Sequence, residues 1–166
     1  MDQKTGKLVI AKVTDEHVHD TTHLETALKK INRKKGKVLF DGIADSLRCY
    51  QLAAQYNKTL LTPPKKTAVL REEPEFGPRN DALRAIYGLG NDQDARSIWG
   101  KLTGYSRRAV IESMISRWKR LYGGELKSQC YIRQQNEVHL KAMMINQMVD
   151  NENTNWLTTR TGTVSA

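Results

Sequence analysis

The sequence predicts an α/β domain. Short apolar runs at Leu8–Val13, Val38–Phe40 and Leu60–Leu61 read as strands, and amphipathic helical segments separate and follow them. Alternation of this kind builds a sheet with helices packed on it. The run Val38-Leu39-Phe40 is apolar throughout, the pattern of a strand buried on both faces.

Each element has its own signals. Asp2-Gln-Lys-Thr-Gly6 reads as a turn before the Leu8–Val13 strand. Asp20 or Thr21 caps a helix reaching about Ile31, with Leu24, Ala27, Leu28 and Ile31 on its apolar face. Arg33-Lys-Lys-Gly36 ends it, with cations near the negative helix terminus. Asp41-Gly42 closes the second strand, and Asp45 or Ser46 caps a helix to about Tyr56. Pro63-Pro64-Lys65-Lys66 ends the third strand and opens a basic loop to about Pro78.

A helix follows from about Asn80 to Tyr87, stopped by Gly88 and Gly90. Another lies around Ser97-Ile98-Trp99. A continuous helix from about Arg107 to Leu121 ends at Gly123-Gly124. The last helix spans about Gln134 to Met148, with Met143, Met144 and Met148 as packing residues. Residues 151–166 are polar and unpatterned, which predicts a disordered tail behind one domain over 1–150.

Composition narrows the function classes. A chain of 166 residues with 39% hydrophobic residues can bury one core. Lys and Arg number 27 against 18 Asp and Glu, a net charge of +9. A basic balance of this size is the electrostatic footprint of a polyanion binder. Cys49 and Cys130 lack metal-ligand spacing and read as buried, reduced thiols of a cytoplasmic protein. No signal sequence follows Met1, and no apolar run approaches the roughly 20 residues that cross a bilayer.

The basic residues concentrate. Between Lys101 and Leu121 lie Lys101, Arg107, Arg108, Arg117, Lys119 and Arg120, against Glu112 alone. On an α-helix Tyr105, Arg108, Glu112 and Lys119 fall within an arc of about 60°. Val110, Met114, Trp118 and Leu121 fall on the opposite arc, which predicts that they are buried. One carboxylate among a phenol and two cations suits a metal ion working beside phosphates. His17, His19 and His23 with Asp20 invite a zinc reading, His19 and His23 being i, i+4, but no Cys or second cluster completes the site.

The pattern Tyr-x-x-Arg-x-x-x-Glu-x-x-x-x-x-x-Lys, here Tyr105, Arg108, Glu112 and Lys119, resembles the signature around the last acid of bacterial insertion-sequence DDE transposases. The segment from Trp99 to Glu112 is similar to that family too, and Lys37-Val-Leu-Phe-Asp41-Gly42 resembles the strand bearing its second acid. The resemblance runs from about residue 1 to residue 148. It implies a ribonuclease-H-like catalytic domain and DNA transposition by metal-dependent strand cleavage and transfer. Asp41 and Glu112 would be catalytic and metal-binding, in a complete site that holds two Mg²⁺ or Mn²⁺ ions. Tyr105, Arg108 and Lys119 would grip phosphates of the transposon end, joined by Arg107, Lys65 and Lys66. Asp45 reads as a helix cap rather than a ligand.

The family's first acid has no counterpart here, since neither Asp2 nor Asp15 sits in the right context. The expectation is therefore an N-terminally truncated domain, its first strands missing, that is inactive alone. The implied partner is double-stranded DNA, as transposon ends and target, bound by a homodimer. The alternatives are a non-catalytic DNA-binding regulator of full-length transposase, or a relic without function.

Overall fold

The computed structural model describes residues 1–14, 20–31 and 36–161. The readings of Asp15, His17, His19, Arg33, Lys34, Lys35 and residues 162–166 lie outside the described residues. The fold is mixed α/β and mostly helical: α1 Leu24–Lys30, β1 Gly36–Leu39, α2 Leu47–Gln55, β2 Lys58–Leu61, α3 Gly77–Gly88, α4 Gln93–Thr103, α5 Ala109–Tyr122 and α6 Tyr131–Thr161. It divides into two compact units. One is Glu16–Ala109; the other joins Met1–Asp15 to Val110–Ala166.

The Glu16–Ala109 unit is built on a β-α-β step. β1 and β2 pair in parallel, Gly36 opposite Lys58 through Leu39 opposite Leu61, and α2 makes the crossover. A parallel pair needs such a crossover because no tight turn can join its strands. Leu24, Leu28, Ala44, Cys49, Tyr50, Ala53, Leu60 and Phe76 form its core. A second cluster joins Ala82, Ile86, Ala95 and Trp99, with Leu61 and Tyr105 against it. The strand at Val38 is not buried on both faces: Gly36 and Lys37 are exposed, and Val38 and Leu39 are half-buried. Val38 and Phe40 pack against the core cluster while staying only partly buried.

The basic loop after β2 is pinned rather than loose. Arg79 Nη1 donates to the Val69 carbonyl at 2.7 Å, Tyr87 Oη to Ala68 at 3.0 Å, and Arg96 Nη1 to Pro64 at 2.7 Å. The Asn80 side-chain amide bonds both the amide and the carbonyl of Arg71. Side chains of α3 and α4 thus supply partners for a chain segment that pairs with no strand.

In the other unit, Asp2–Gly6 forms the expected turn: the Gly6 amide bonds the Asp2 carbonyl at 2.9 Å, and Gly6 has φ +70°. The Leu8–Val13 segment is not a strand. The Leu8 amide and carbonyl are bonded instead by the Asn146 side chain, at 2.7 and 2.9 Å. The buried stripe of α6 is Val138, Ala142, Ile145 and Val149, at helical spacing. Met143 and Met144 lie off it and are exposed, contrary to the packing role expected for them. The helix runs on to Thr161, into the segment whose composition suggests disorder. Cys49 is buried as expected, but Cys130, just ahead of α6, is exposed. Among the described residues no helix is long and apolar enough to cross a membrane.

Candidate active site

Asp41 lies two residues past the end of β1, at the carboxyl end of the parallel pair. In α/β sheets that end opens the crevice where ligands bind. The ladder closes with the Phe40 amide on the Leu61 carbonyl at 3.1 Å, and the chain then turns through a 3₁₀ turn at Gly42–Ala44. Asp41 caps that turn: its Oδ1 accepts from the Ile43 amide at 3.2 Å, and its carbonyl accepts from the Ala44 amide at 3.1 Å. The Asp41 carbonyl also accepts from the hydroxyl of Thr62, the residue after β2.

Arg108 reaches the same place. Its Nη2 stands 4.0 Å from Asp41 Oδ2, with both side chains about one-third exposed. At that distance the contact is electrostatic and not a hydrogen bond. A pair this exposed contributes about 0–1 kcal/mol, so a phosphate can compete for the guanidinium.

The stripe is not one continuous helix. Tyr105–Arg108 is a 3₁₀ turn, and α5 begins at Ala109. The cause is Gly104, which ends α4 in the left-handed region at φ +79° and redirects the chain. Gly100 lets the turn come close, since a Cβ there would meet Ser106 Oγ at 3.3 Å. In a 3₁₀ turn, side chains three apart eclipse, so Tyr105 and Arg108 still share a side. Their uses diverge. Tyr105 is half-buried against Trp99, ring centroids 5.5 Å apart, so it packs in the α3–α4 cluster. Arg108 faces Asp41.

Past the turn, α5 is unbroken through Met114, with Glu112 and Lys119 exposed. The arc expected to be buried is not. Met114 and Trp118 are half-buried, Val110 and Leu121 are exposed, and no α5 residue is fully buried. Arg107, Lys65 and Lys66 are exposed. Asp41, Arg108, Lys65 and Lys66 belong to the Glu16–Ala109 unit, and Glu112 and Lys119 to the other.

Asp45 does not cap α2; it closes the 3₁₀ turn, and both its carboxylate oxygens are engaged elsewhere. Its side chain is 1% exposed, its Oδ1 accepts from Arg79 Nε at 2.8 Å, and its Oδ2 accepts from the Lys65 amide at 2.8 Å. Ser46 precedes α2 without a side-chain capping bond. Burial pushes the Tyr50 phenol up, with the Asp45 charge adding to it, so it stays neutral. Sequence reasoning missed Thr62 and the Asp45–Arg79 pair, because a threonine after two leucines and an arginine after a proline carry no local signal of their long-range partners.

For a divalent ion, Asp41 fits as one ligand. It offers hard carboxylate oxygen at the crevice, and Arg108 stands outside hydrogen-bond reach of Oδ2. Among the described residues no three His, Cys, Asp or Glu side chains gather into a metal-binding group.

Asp41 thus stands at the carboxyl end of a parallel strand pair with Arg108 beside it, on a chain of net charge +9. Comparison with known proteins gives the class: a family model described as transposase DDE domain matches residues 1–147. The chain belongs to that family of transposases. Domains of the family generally use divalent metal ions. No solved structure matches the chain.

Proposed function

We propose that this chain is the transposase domain of a bacterial insertion sequence, acting on double-stranded DNA through a ribonuclease-H-like site. Asp41 and Glu112 are its metal-holding carboxylates. The observation that carries the reading is the convergence at Asp41: the acid that the family resemblance singles out sits at the carboxyl end of β1, with the signature's Arg108 beside it.

Each residue has a role of its own. Arg108 and Lys119 hold backbone phosphates, Arg by its fork and Lys as a point charge. Arg107, Lys65 and Lys66 extend the basic surface, and Tyr105 seats Arg108 by anchoring the turn on Trp99. Mg²⁺ or Mn²⁺, when bound, supplies Lewis acidity to the oxygens of an in-line displacement. Asp41 and Glu112 each present carboxylate oxygen to it. The family's first acid has no match among residues 1–166, so on this reading the chain by itself binds DNA without cutting it. Transposon ends and target DNA are the substrates, a homodimer the working form, and the cytoplasm the place.

The experiment is DNA binding against salt, run beside strand cleavage. The 1–166 chain should bind duplex DNA with little sequence preference, and log K should fall linearly with log salt. Arg108→Ala and Lys119→Ala should each reduce that slope by about 1. Strand cleavage with Mg²⁺ or Mn²⁺ should be absent. Salt-independent binding would defeat the phosphate roles, and robust cleavage would show that a carboxylate has been misassigned.

A further inference from the structure

Asp41 is the last point at which the two strands could hold each other, and the ladder does not extend to it. The final ladder bond joins Phe40 to Leu61. Beyond it, the segments leaving the two strands are tied together by side chains. The Thr62 hydroxyl donates to the Asp41 carbonyl, and the Lys65 amide donates to Asp45 Oδ2 at 2.8 Å, with Asp45 itself anchored by Arg79. Thr62 is 2% exposed, so water does not replace its bond. The Ala44 amide occupies the same carbonyl from within the turn. That bond is local and moves with Asp41. Among the described residues, the Thr62 bond is the one that ties the Asp41 main chain to the segment leaving β2.

We propose that Thr62 is a positioning residue for Asp41, its buried hydroxyl fixing the main chain of the acid at the mouth of the strand pair. The proposal rests on the reading of Asp41 as a metal ligand. A ligand must be held to within about 0.5 Å to serve a metal well. Threonine and valine have nearly the same shape, so Thr62→Val removes the hydroxyl and leaves the packing. Asp41 would then keep its cap on Ile43 but drift with its turn. Thr62→Ser keeps the donor and drops the methyl.

The test is Mn²⁺ binding to the full chain, followed by electron paramagnetic resonance of the free ion. Wild type, Asp41→Asn, Thr62→Val and Thr62→Ser are compared, each checked for folding by circular dichroism. Asp41→Asn should abolish the specific binding. Thr62→Val should weaken it by roughly tenfold, the scale on which partners of metal ligands act. Thr62→Ser should bind as wild type does. If Asp41→Asn binds Mn²⁺ normally, the metal-ligand reading fails and the role of Thr62 falls with it. If Asp41→Asn abolishes binding and Thr62→Val does not weaken it, the positioning role alone is overturned. Weakening by Thr62→Ser equal to that by Thr62→Val also overturns it, since packing would then be the cause. Should valine prevent folding, Thr62→Ala takes its place with the same expectations.

Discussion

Asp45→Ala should destabilise the Glu16–Ala109 unit more than any surface substitution. The carboxylate is 1% exposed and its Arg79 partner 9% exposed, so both charges are held out of water. Removing Asp45 leaves the guanidinium, among the described residues, with the Val69 carbonyl at 2.7 Å and the face of Phe76 at 4.8 Å. It also leaves the Lys65 amide without its acceptor. Stranding one member of a buried pair costs about 3–5 kcal/mol. With a urea dependence of about 2 kcal/mol per molar, the midpoint should fall by about 1.5–2.5 M. Trp99, 3% exposed in this unit, reports the transition in a Trp118→Phe, Trp156→Phe background. Replacing both partners, as Asp45→Leu with Arg79→Met, should recover most of the loss, because no charge is then stranded. A loss below about 1 kcal/mol for Asp45→Ala, or a double variant as unstable as the two losses summed, would refute the reasoning.

Two further outcomes follow from single residues. Glu137 is held down to about 2 by the Lys141 ammonium and the Lys127 and Ser128 amides, so its folded value lies below its unfolded one near 4.5. Its contribution is present above about pH 4.5 and lost as the pH falls towards about 2. Glu137→Gln should lower the urea midpoint at pH 7 and match wild type near pH 2; a difference that persists unchanged in acid would contradict this. Gly104→Ala should cost about 1–2 kcal/mol in the same urea assay through backbone strain. Its φ is +79° and nothing lies within 4 Å of the added carbon, so a neutral substitution would mean that the turn relaxes freely.

The sequence announces what depends on local pattern. The helices around Ser46–Tyr56, Asn80–Tyr87 and Ser97–Trp99 carry periodicity and stops, and the structure has α2, α3 and α4 there. Pro63-Pro64 and Gly88 mark real ends for the same reason. The place of Asp41 just past a strand could be read because Val38-Leu39-Phe40 is itself a local signal. What stayed hidden depends on distant partners. Leu8–Val13 has strand composition, but Asn146 takes the backbone bonds of Leu8. Asp45 has the sequence context of a cap, and Arg79, far along the chain, claims it. The stripe from Tyr105 to Lys119 fits one helix on paper, yet Gly104 starts it as a 3₁₀ turn. Met143 and Met144 look like core by composition but sit off the buried stripe of α6.

The central proposal is that Asp41 and Glu112 are metal-holding carboxylates. Radicals from bound Fe²⁺, generated with ascorbate and peroxide, cut the peptide chain close to the ion. With Fe²⁺ in place of Mg²⁺, cuts are expected beside Asp41 and beside Glu112, lost on Asp41→Asn and Glu112→Gln respectively and suppressed by excess Mg²⁺. No cuts beside Asp41, or cuts there that survive Asp41→Asn, would contradict it.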